Sequence, residues 1–240
     1  MTKKNPTIIL VRPQLPQNIG MVARVMENFG LKNLVLIDPR EKWPNDISLK
    51  SSKKGKKIIF KTKIFKTLPE ALERFNFVVA TTNRKRFLET KTINSFKSLN
   101  TYINNNKKTA ILFGPENSGL SNQDIRLANF LFTIPTYNKN KSLNLSHAVS
   151  VMSYELFQAN NISIKNISTS NIDKINKLEL SNFVNFLVKD LDSRGFFKPV
   201  EKKAGMIDNI YSIYNKTNLS KKELRMLWGI HKKLKKQPKS

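Results

Sequence analysis

"TIILVRPQLPQNIGMVARVMENFGLKNLVLID", residues 7–38, decides the fold of this chain. Residues 7–11 form a short apolar run closed by Pro13 and Pro16, which reads as a buried strand ending in a turn. In the stretch 17–30, Ile19, Val22, Ala23, Met26 and Phe29 recur at spacings of three and four, the period of a helix with one buried face. Gly30 is placed to end that helix in a left-handed cap. "NLVLID", residues 33–38, is a second strand. A strand, a helix and a strand within roughly thirty residues mark a parallel α/β sheet.

The pattern repeats downstream. "LPEALERF" is a helix before the strand "NFVVATT", and "SLNTYINNN" is a helix before "TAILFG". "SNQDIRLANF" is expected to be helical, opened by Ser121 with Asp124 in the spacing of a capping box. "LFTIP" is a last strand, and "LNLSHAVSVMSYELFQ" is a long helix with Leu145, Ala148, Val149, Met152 and Leu156 along one face. Five strands with helices between them give an α/β domain over residues 1–158. Residues 159–170, rich in Asn and Ser, read as a linker. Residues 171–240 read as a basic, helical extension, in which Ser220 and Glu223 form a second capping box flanked by Leu219 and Leu224.

Composition bounds the function. The chain has 43 Lys plus Arg against 17 Asp plus Glu, a net charge of +26, and this excess runs through both the α/β part and the helical part. Such a balance favours a polyanion, with nucleic acid foremost. An AT-rich genome also produces an excess of Lys, Asn and Ile without selection for binding, so charge alone does not decide. The run "LKSSKKGKK", residues 49–57, packs five lysines into nine positions. No apolar run approaches the ~20 residues of a membrane span, and "MTKKNPT" lacks a signal-peptide core, so a cytoplasmic location is expected. There are no cysteines and only two histidines, His147 and His231, which argues against disulfides, thiol chemistry and a metal centre. His147, one turn into an apolar helix, reads as a packing residue.

In open α/β sheets ligands bind beyond the carboxyl ends of the strands. Three segments there are unusual: "TTNR" (81–84), "GPENSGL" (114–120) and "IPTYNKNKSLNLS" (134–146). Each combines hydroxyls, amides or glycines, the groups that hold a polar cofactor through backbone and short side chains. No dinucleotide fingerprint, Walker loop or nucleophile elbow is present. Arg24 lies about 160° from the centre of its helix's apolar stripe at ~100° per residue, so it faces away from the core. On spacing alone it is a solubilising surface residue.

Taken together, "RPQLPQNIGMVARVMENFGLKNLVLIDPR", "ILFGPENSGLSNQDI" and "IPTYNKNKSLNLSHAVSVMSYEL" resemble, in order and spacing, the three motifs of the SPOUT RNA 2′-O-methyltransferases. The resemblance is in particular to the TrmJ-type tRNA (cytidine/uridine-2′-O)-methyltransferases. It covers residues 7–158, and the helical tail resembles that subfamily's extension more loosely. The resemblance implies a parallel sheet with a C-terminal trefoil knot, a homodimer, and S-adenosylmethionine held by Thr81, Thr82 and Asn83, by Gly114 and Glu116, and by Ile134, Ser142, Leu143 and Asn144. It assigns Arg24 a catalytic part across the dimer interface, with Asn18 aligning the same group. An arginine, a very weak acid and hence a poor base, suits orientation of the hydroxyl and stabilisation of charge, and proton abstraction by it stays open. The implied reaction is methylation of a ribose 2′-hydroxyl in tRNA, at cytidine or uridine 32 of the anticodon loop. The alternatives are ribosomal RNA as substrate, or a non-catalytic RNA-binding protein of the same fold. Where the family is expected to have an alanine-rich helix after the second strand, this chain has the lysine run, which leaves that helix in question.

Overall fold

A computed structural model describes residues 5–83, 91–93, 95–105, 108–137, 142–161 and 174–235. Arg84, residues 138–141 of the third segment and most of the expected linker lie outside them.

The opening unit folds as its periodicity dictates. Strand β1 (Thr7–Val11), helix α1 (Pro16–Asn28) and strand β2 (Leu34–Ile37) follow one another, with Pro at the first helical position, where no N–H is needed. Gly30 takes φ +73°, and the Leu31 N–H reaches back to the Met26 carbonyl, closing the helix as expected. The lysine run is helical: α2 (Asp46–Ser52), a tight 3₁₀ turn at Lys53–Gly55, and α3 (Lys56–Lys61). It packs on α1 through positions where only glycine fits. A Cβ on Gly20 would lie 2.3 Å from the Ser48 carbonyl oxygen, and one on Gly55 would lie 2.5 Å from that of Ala23.

The remaining sheet elements are β3 (Lys63–Phe65), α4 (Leu68–Leu72), β4 (Phe77–Thr81), β5 (Thr92–Ile93), α5 (Phe96–Asn105), β6 (Thr109–Phe113), α6 (Asn122–Ile125) and β7 (Phe130–Phe132). They form one parallel sheet of seven strands in the order β3-β2-β1-β6-β4-β7-β5. The expectation of five strands is therefore corrected. β3 and β5, both on sheet edges, have three and two residues, too few to establish an apolar alternation. The helix expected over 121–130 is also shorter. Its Ser121–Asp124 capping box forms, but the chain leaves the helix after Ile125 because Asn129 exchanges two hydrogen bonds with the Val78 backbone, at 2.7 and 2.8 Å, and turns the chain into β7.

Alternation along the strands divides the core into two layers. Ile8, Leu10, Leu36, Val79, Ile111 and Phe132 face α1, α3, α5 and the long helix α7 (Leu145–Asn161). Ile9, Val11, Ile37, Val78, Ala80 and Leu112 face the other way. There the cover comes from α4, α6 and three C-terminal helices: α8 (Lys177–Ser193), α9 (Lys203–Lys216) and α10 (Lys221–Lys235). Phe183, Val184, Tyr211 and Leu224 of these helices belong to the same apolar cluster as the strands. α7 takes in the first three residues of the expected linker, 159–161. The Ser220–Glu223 capping box forms at the start of α10.

Polar ties secure the C-terminal helices to the sheet. Arg126, just after α6, pairs with Asp208 of α9, and Asn215 donates to the Arg126 carbonyl. The Lys177 ammonium, only 3% exposed, donates to Asn215 Oδ1 at 2.6 Å. Burial pulls this lysine down to about 7. No helix among the described residues is long and apolar enough to cross a membrane.

Candidate active site

Three strand ends come level at one end of the sheet: the register sets Ala80 of β4 opposite Leu112 of β6, and Thr81 opposite Phe132 of β7. Beyond them lies a cavity of about 440 Å³. This lies within the ~300–1,000 Å³ typical of small-molecule sites. Eight of the nine residues expected at a cofactor site line it: Thr81, Thr82 and Asn83 after β4, Gly114 and Glu116 after β6, and Ile134, Ser142 and Leu143 around the β7–α7 connection. The ninth, Asn144, is placed just behind. Its Oδ1 accepts from the N–H and hydroxyl of Ser146, at 2.8 and 2.7 Å, and so caps α7.

The walls are built by backbone more than by side chains. Thr81 spends its hydroxyl on the Leu112 carbonyl at 2.7 Å, and Thr82 is held through its N–H to Phe132 and its carbonyl to the Thr133 hydroxyl. Gly114 is pressed against the returning loop. A Cβ there would lie 2.2 Å from the Leu120 nitrogen and 2.4 Å from the Gly119 carbonyl carbon, so any side chain would displace the loop that shapes the cavity. Phe113, Pro115, Leu120 and Leu145 supply apolar surface that sequence reasoning had not assigned. An apolar slot with a few convergent polar groups suits a ligand with a flat, weakly polar ring and a charged end.

Glu116 has a second task. Its carboxylate accepts from the backbone N–H groups of Gln14 (3.0 Å) and Leu15 (3.4 Å), and from Asn18 Nδ2 (2.8 Å). A negative charge thereby sits at the N-terminus of α1, where free N–H groups and the helix dipole favour it. Asn18 is buried and in turn accepts from Asn144 Nδ2 at 3.3 Å. Glu116, Asn18 and Asn144 thus join the first helix to both cavity loops, across separations of 98 and 126 residues. Nearby, Arg12 pairs with the buried Asp124, which also holds Ser121.

Arg24 stands apart. It is exposed on the outer face of α1 and does not line the cavity of its own chain. His147 is exposed on the first turn of α7, which corrects its reading as a packing residue: it points away from the buried stripe of Leu145, Val149, Met152 and Leu156. Among the described residues no group of His, Asp and Glu side chains is placed to hold a metal.

Residues 5–154, which include every strand and the whole cavity, match the model of the SpoU rRNA Methylase family. The chain belongs to that family. Over nearly its full length this SpoU-family chain is similar to the crystal structure of TrmJ from Z. mobilis ZM4, with 32% identity and a TM-score of 0.86, covering 96% of this chain and 99% of that one. It is also similar to the tRNA (cytidine/uridine/adenosine-2′-O-)-methyltransferase TrmJ of Pseudomonas aeruginosa (strain UCBPP-PA14), at 29% identity over 93% of this chain and 91% of the relative. The SpoU methyltransferase AviRb from Streptomyces viridochromogenes, in complex with the cofactor AdoMet, shares the fold at 20% identity and a TM-score of 0.52, covering 69% of this chain and 61% of that one.

Proposed function

We propose that this chain methylates a ribose 2′-hydroxyl of cytidine or uridine in tRNA, at position 32 of the anticodon loop, in the cytoplasm. The observation that carries the reading is the convergence of the three strand-end segments on one cavity at the ends of β4, β6 and β7. S-adenosylmethionine bound there supplies a sulfonium-activated methyl group. Gly114, with no room for a Cβ, presents backbone at contact distance, and Leu120, Leu143 and Ile134 give apolar surface for a purine ring. Thr81 to Asn83, Glu116, Ser142 and Asn144 fix the loops or supply polar atoms. The long similarity to proteins named as tRNA methyltransferases supports tRNA as the substrate. A reading with ribosomal RNA is favoured by the family's own description and by relatives whose names give both tRNA and rRNA.

With the donor bound, the hydroxyl oxygen would have to be aligned with the methyl carbon so that the O–C bond forms as the methyl–sulfur bond breaks and the neutral thioether leaves. The hydroxyl proton passes to water, and the charge developing on the oxygen must be stabilised. Arg24 is the group we assign to this, acting in the site of a partner subunit. Its guanidinium orients and stabilises, donating through a planar fork. Asn18 holds the α1 N-terminus and the two cavity loops in register with that helix. Support for a homodimer comes from the outer face of α7, where Val151, Tyr154 and Phe157 are exposed, the last two against Phe29 at the end of α1. We also infer that the chain is threaded through the trefoil knot of the SPOUT fold around the Gly114–Leu120 loop and the β7–α7 connection, since Gly114, Leu120, Ile134, Ser142 and Leu143 line one cavity and α7 returns to pack on α1.

The test is methyl transfer to unmodified tRNA and to ribosomal RNA, each digested and read by nucleoside mass spectrometry. The expected product is 2′-O-methylcytidine or 2′-O-methyluridine at position 32 of tRNA. Methylation of ribosomal RNA alone would move the function to the second reading, and no methylation of either would leave an RNA-binding protein.

A further inference from the structure

The segment between α1 and β4 carries a charge distribution that the fold does not require. Between Asp46 and Glu70 there are eight lysines and no carboxylate. Lys63 and Lys66 have a structural reason, since they flank the edge strand β3, where lysines discourage pairing with another sheet. Of the other six, Lys50 and Lys61 lie in the last turns of α2 and α3, where the helix dipole favours a cation, while Lys53, Lys54, Lys56 and Lys57 gather at the start of α3. All are exposed, and none has a carboxylate partner among the described residues.

The placement of Lys53, Lys54, Lys56 and Lys57 works against α3. Lys56 and Lys57 occupy the first turn of α3, and Lys53 and Lys54 precede it, so four cations crowd the positive end of the helix dipole. Lys57 and Lys61 are a like-charged pair four residues apart. Lys53 also adopts φ +50°, a left-handed conformation that lysine rarely takes. On the opposite side of the same turn, Gly55, Ile58 and Ile59 are buried against α1 and the sheet. The lysines are therefore held in a fixed array. In that array sits Phe60, four residues after Lys56, three after Lys57 and next to Lys61, with its ring 68% exposed.

Gly55 connects this face to Arg24. A Cβ on Gly55 would lie 2.8 Å from the Arg24 backbone nitrogen, so the 3₁₀ turn crosses α1 at that residue. We propose that the outer face of α2 and α3 docks the RNA substrate, with the six lysines along its phosphates and Phe60 stacked on an unpaired base beside the backbone of Arg24. A fixed row of cations with one exposed aromatic ring is the arrangement that binds single-stranded nucleic acid. A membrane surface fits less well, because Ile58 and Ile59 of α3 face inward and the apolar side chains exposed here, Ile47, Phe60 and Ile64, are separated by lysines in the chain and do not form one continuous apolar stripe. The assignment of RNA as the partner rests on the methyl-transfer reading, while the docking face itself can be measured without turnover.

The experiment compares wild type with a quadruple variant, Lys53→Gln, Lys54→Gln, Lys56→Gln and Lys57→Gln. The probe is an unmodified tRNA transcript, titrated between about 50 and about 300 mM KCl. Neutralising four phosphate contacts should flatten the slope of log K against log salt by about 3, at ~0.7–0.9 per contact. Phe60→Ala should weaken binding by about 5- to 100-fold and leave the slope unchanged, as loss of one stacked base does. S-adenosylhomocysteine affinity should stay at the wild-type value in both variants, and the melting temperature of the quadruple variant should not fall below wild type. A control with Lys189, Lys198, Lys202 and Lys222 all changed to Gln should keep the wild-type slope. An unchanged slope in the quadruple variant, or equal flattening in the control, would overturn the proposal. So would binding to anionic vesicles that depends on the same lysines while tRNA binding does not. A wild-type chain that shows this tRNA behaviour but binds no cofactor would remove the methyl-transfer reading and leave the docking face standing.

Discussion

Lys177→Met should change how stability depends on pH, because Lys177 is the amine that burial between α8, α9 and the sheet pulls from 10.5 to about 7. In the unfolded chain it keeps its ordinary affinity for a proton. Below pH 7 both states hold the proton, and the folded state bears the full cost of a buried cation. Between about 7 and 10.5 only the unfolded state holds it, so stability rises with pH in this window and levels off above it. At ~1.36 kcal/mol for each tenfold in proton affinity, the whole rise is about 5 kcal/mol. Methionine removes this dependence and the cost of the cation, but leaves Asn215 Oδ1 without its donor, which costs about 1–3 kcal/mol. The variant should therefore be the more stable at pH 6 and the less stable at pH 10. Urea midpoints measured at each pH from 6 to 10, with unchanged m values, would give the comparison. Parallel curves for wild type and variant would refute the account of Lys177 as an uncompensated buried amine.

Further outcomes follow from the site. Arg24→Ala should alter folding stability by less than ~1 kcal/mol, as surface changes do, while single-turnover methylation falls on the order of 10²-fold at constant cofactor affinity. Arg24→Lys should not restore it, because a point charge lacks the planar fork. Glu116→Ala should lower stability by about 1–2 kcal/mol, the worth of a helix cap, and weaken S-adenosylhomocysteine binding with it; Glu116→Gln, which retains an acceptor oxygen, should recover part of the stability as read by melting curves. Truncation after Asn161 should leave the second apolar layer covered only by α4 and α6, whose helices have five and four residues, and should yield aggregated protein in sedimentation.

The parts of the fold legible in the sequence are those whose own residues carry the period. β1, α1 and β2 could be read because "TIILV", the stripe from Ile19 to Phe29, and "LVLI" each bury a continuous face. β3 and β5 escaped because "KIF" and "TI" are held by neighbours in the sheet rather than by a pattern of their own. α6 ended early because the residue that stops it, Asn129, does so by bonding Val78, 51 positions away. The cavity's position followed from the rule for strand ends, and its three segments could be named from their composition and their resemblance to a family. The tie from Glu116 to Gln14, Leu15 and Asn18 could not be read, since no local feature of "GPENSGL" points to a helix about a hundred residues earlier. His147 was misjudged for a related reason: its helix is apolar, but its own position on the turn is outward.

Calorimetric titration of S-adenosylhomocysteine into wild type and Gly114→Ala, with and without tRNA, tests most directly that the cavity beyond β4, β6 and β7 holds the methyl donor. Alanine at this position puts a Cβ 2.2 Å from the Leu120 nitrogen, and relief of such overlap typically costs about 1–3 kcal/mol and moves the loop. The expected result is one site per wild-type chain and at least a ~5-fold loss of affinity in the variant, in line with that cost. Equal binding by both chains, or binding by neither even with tRNA present, would contradict the account.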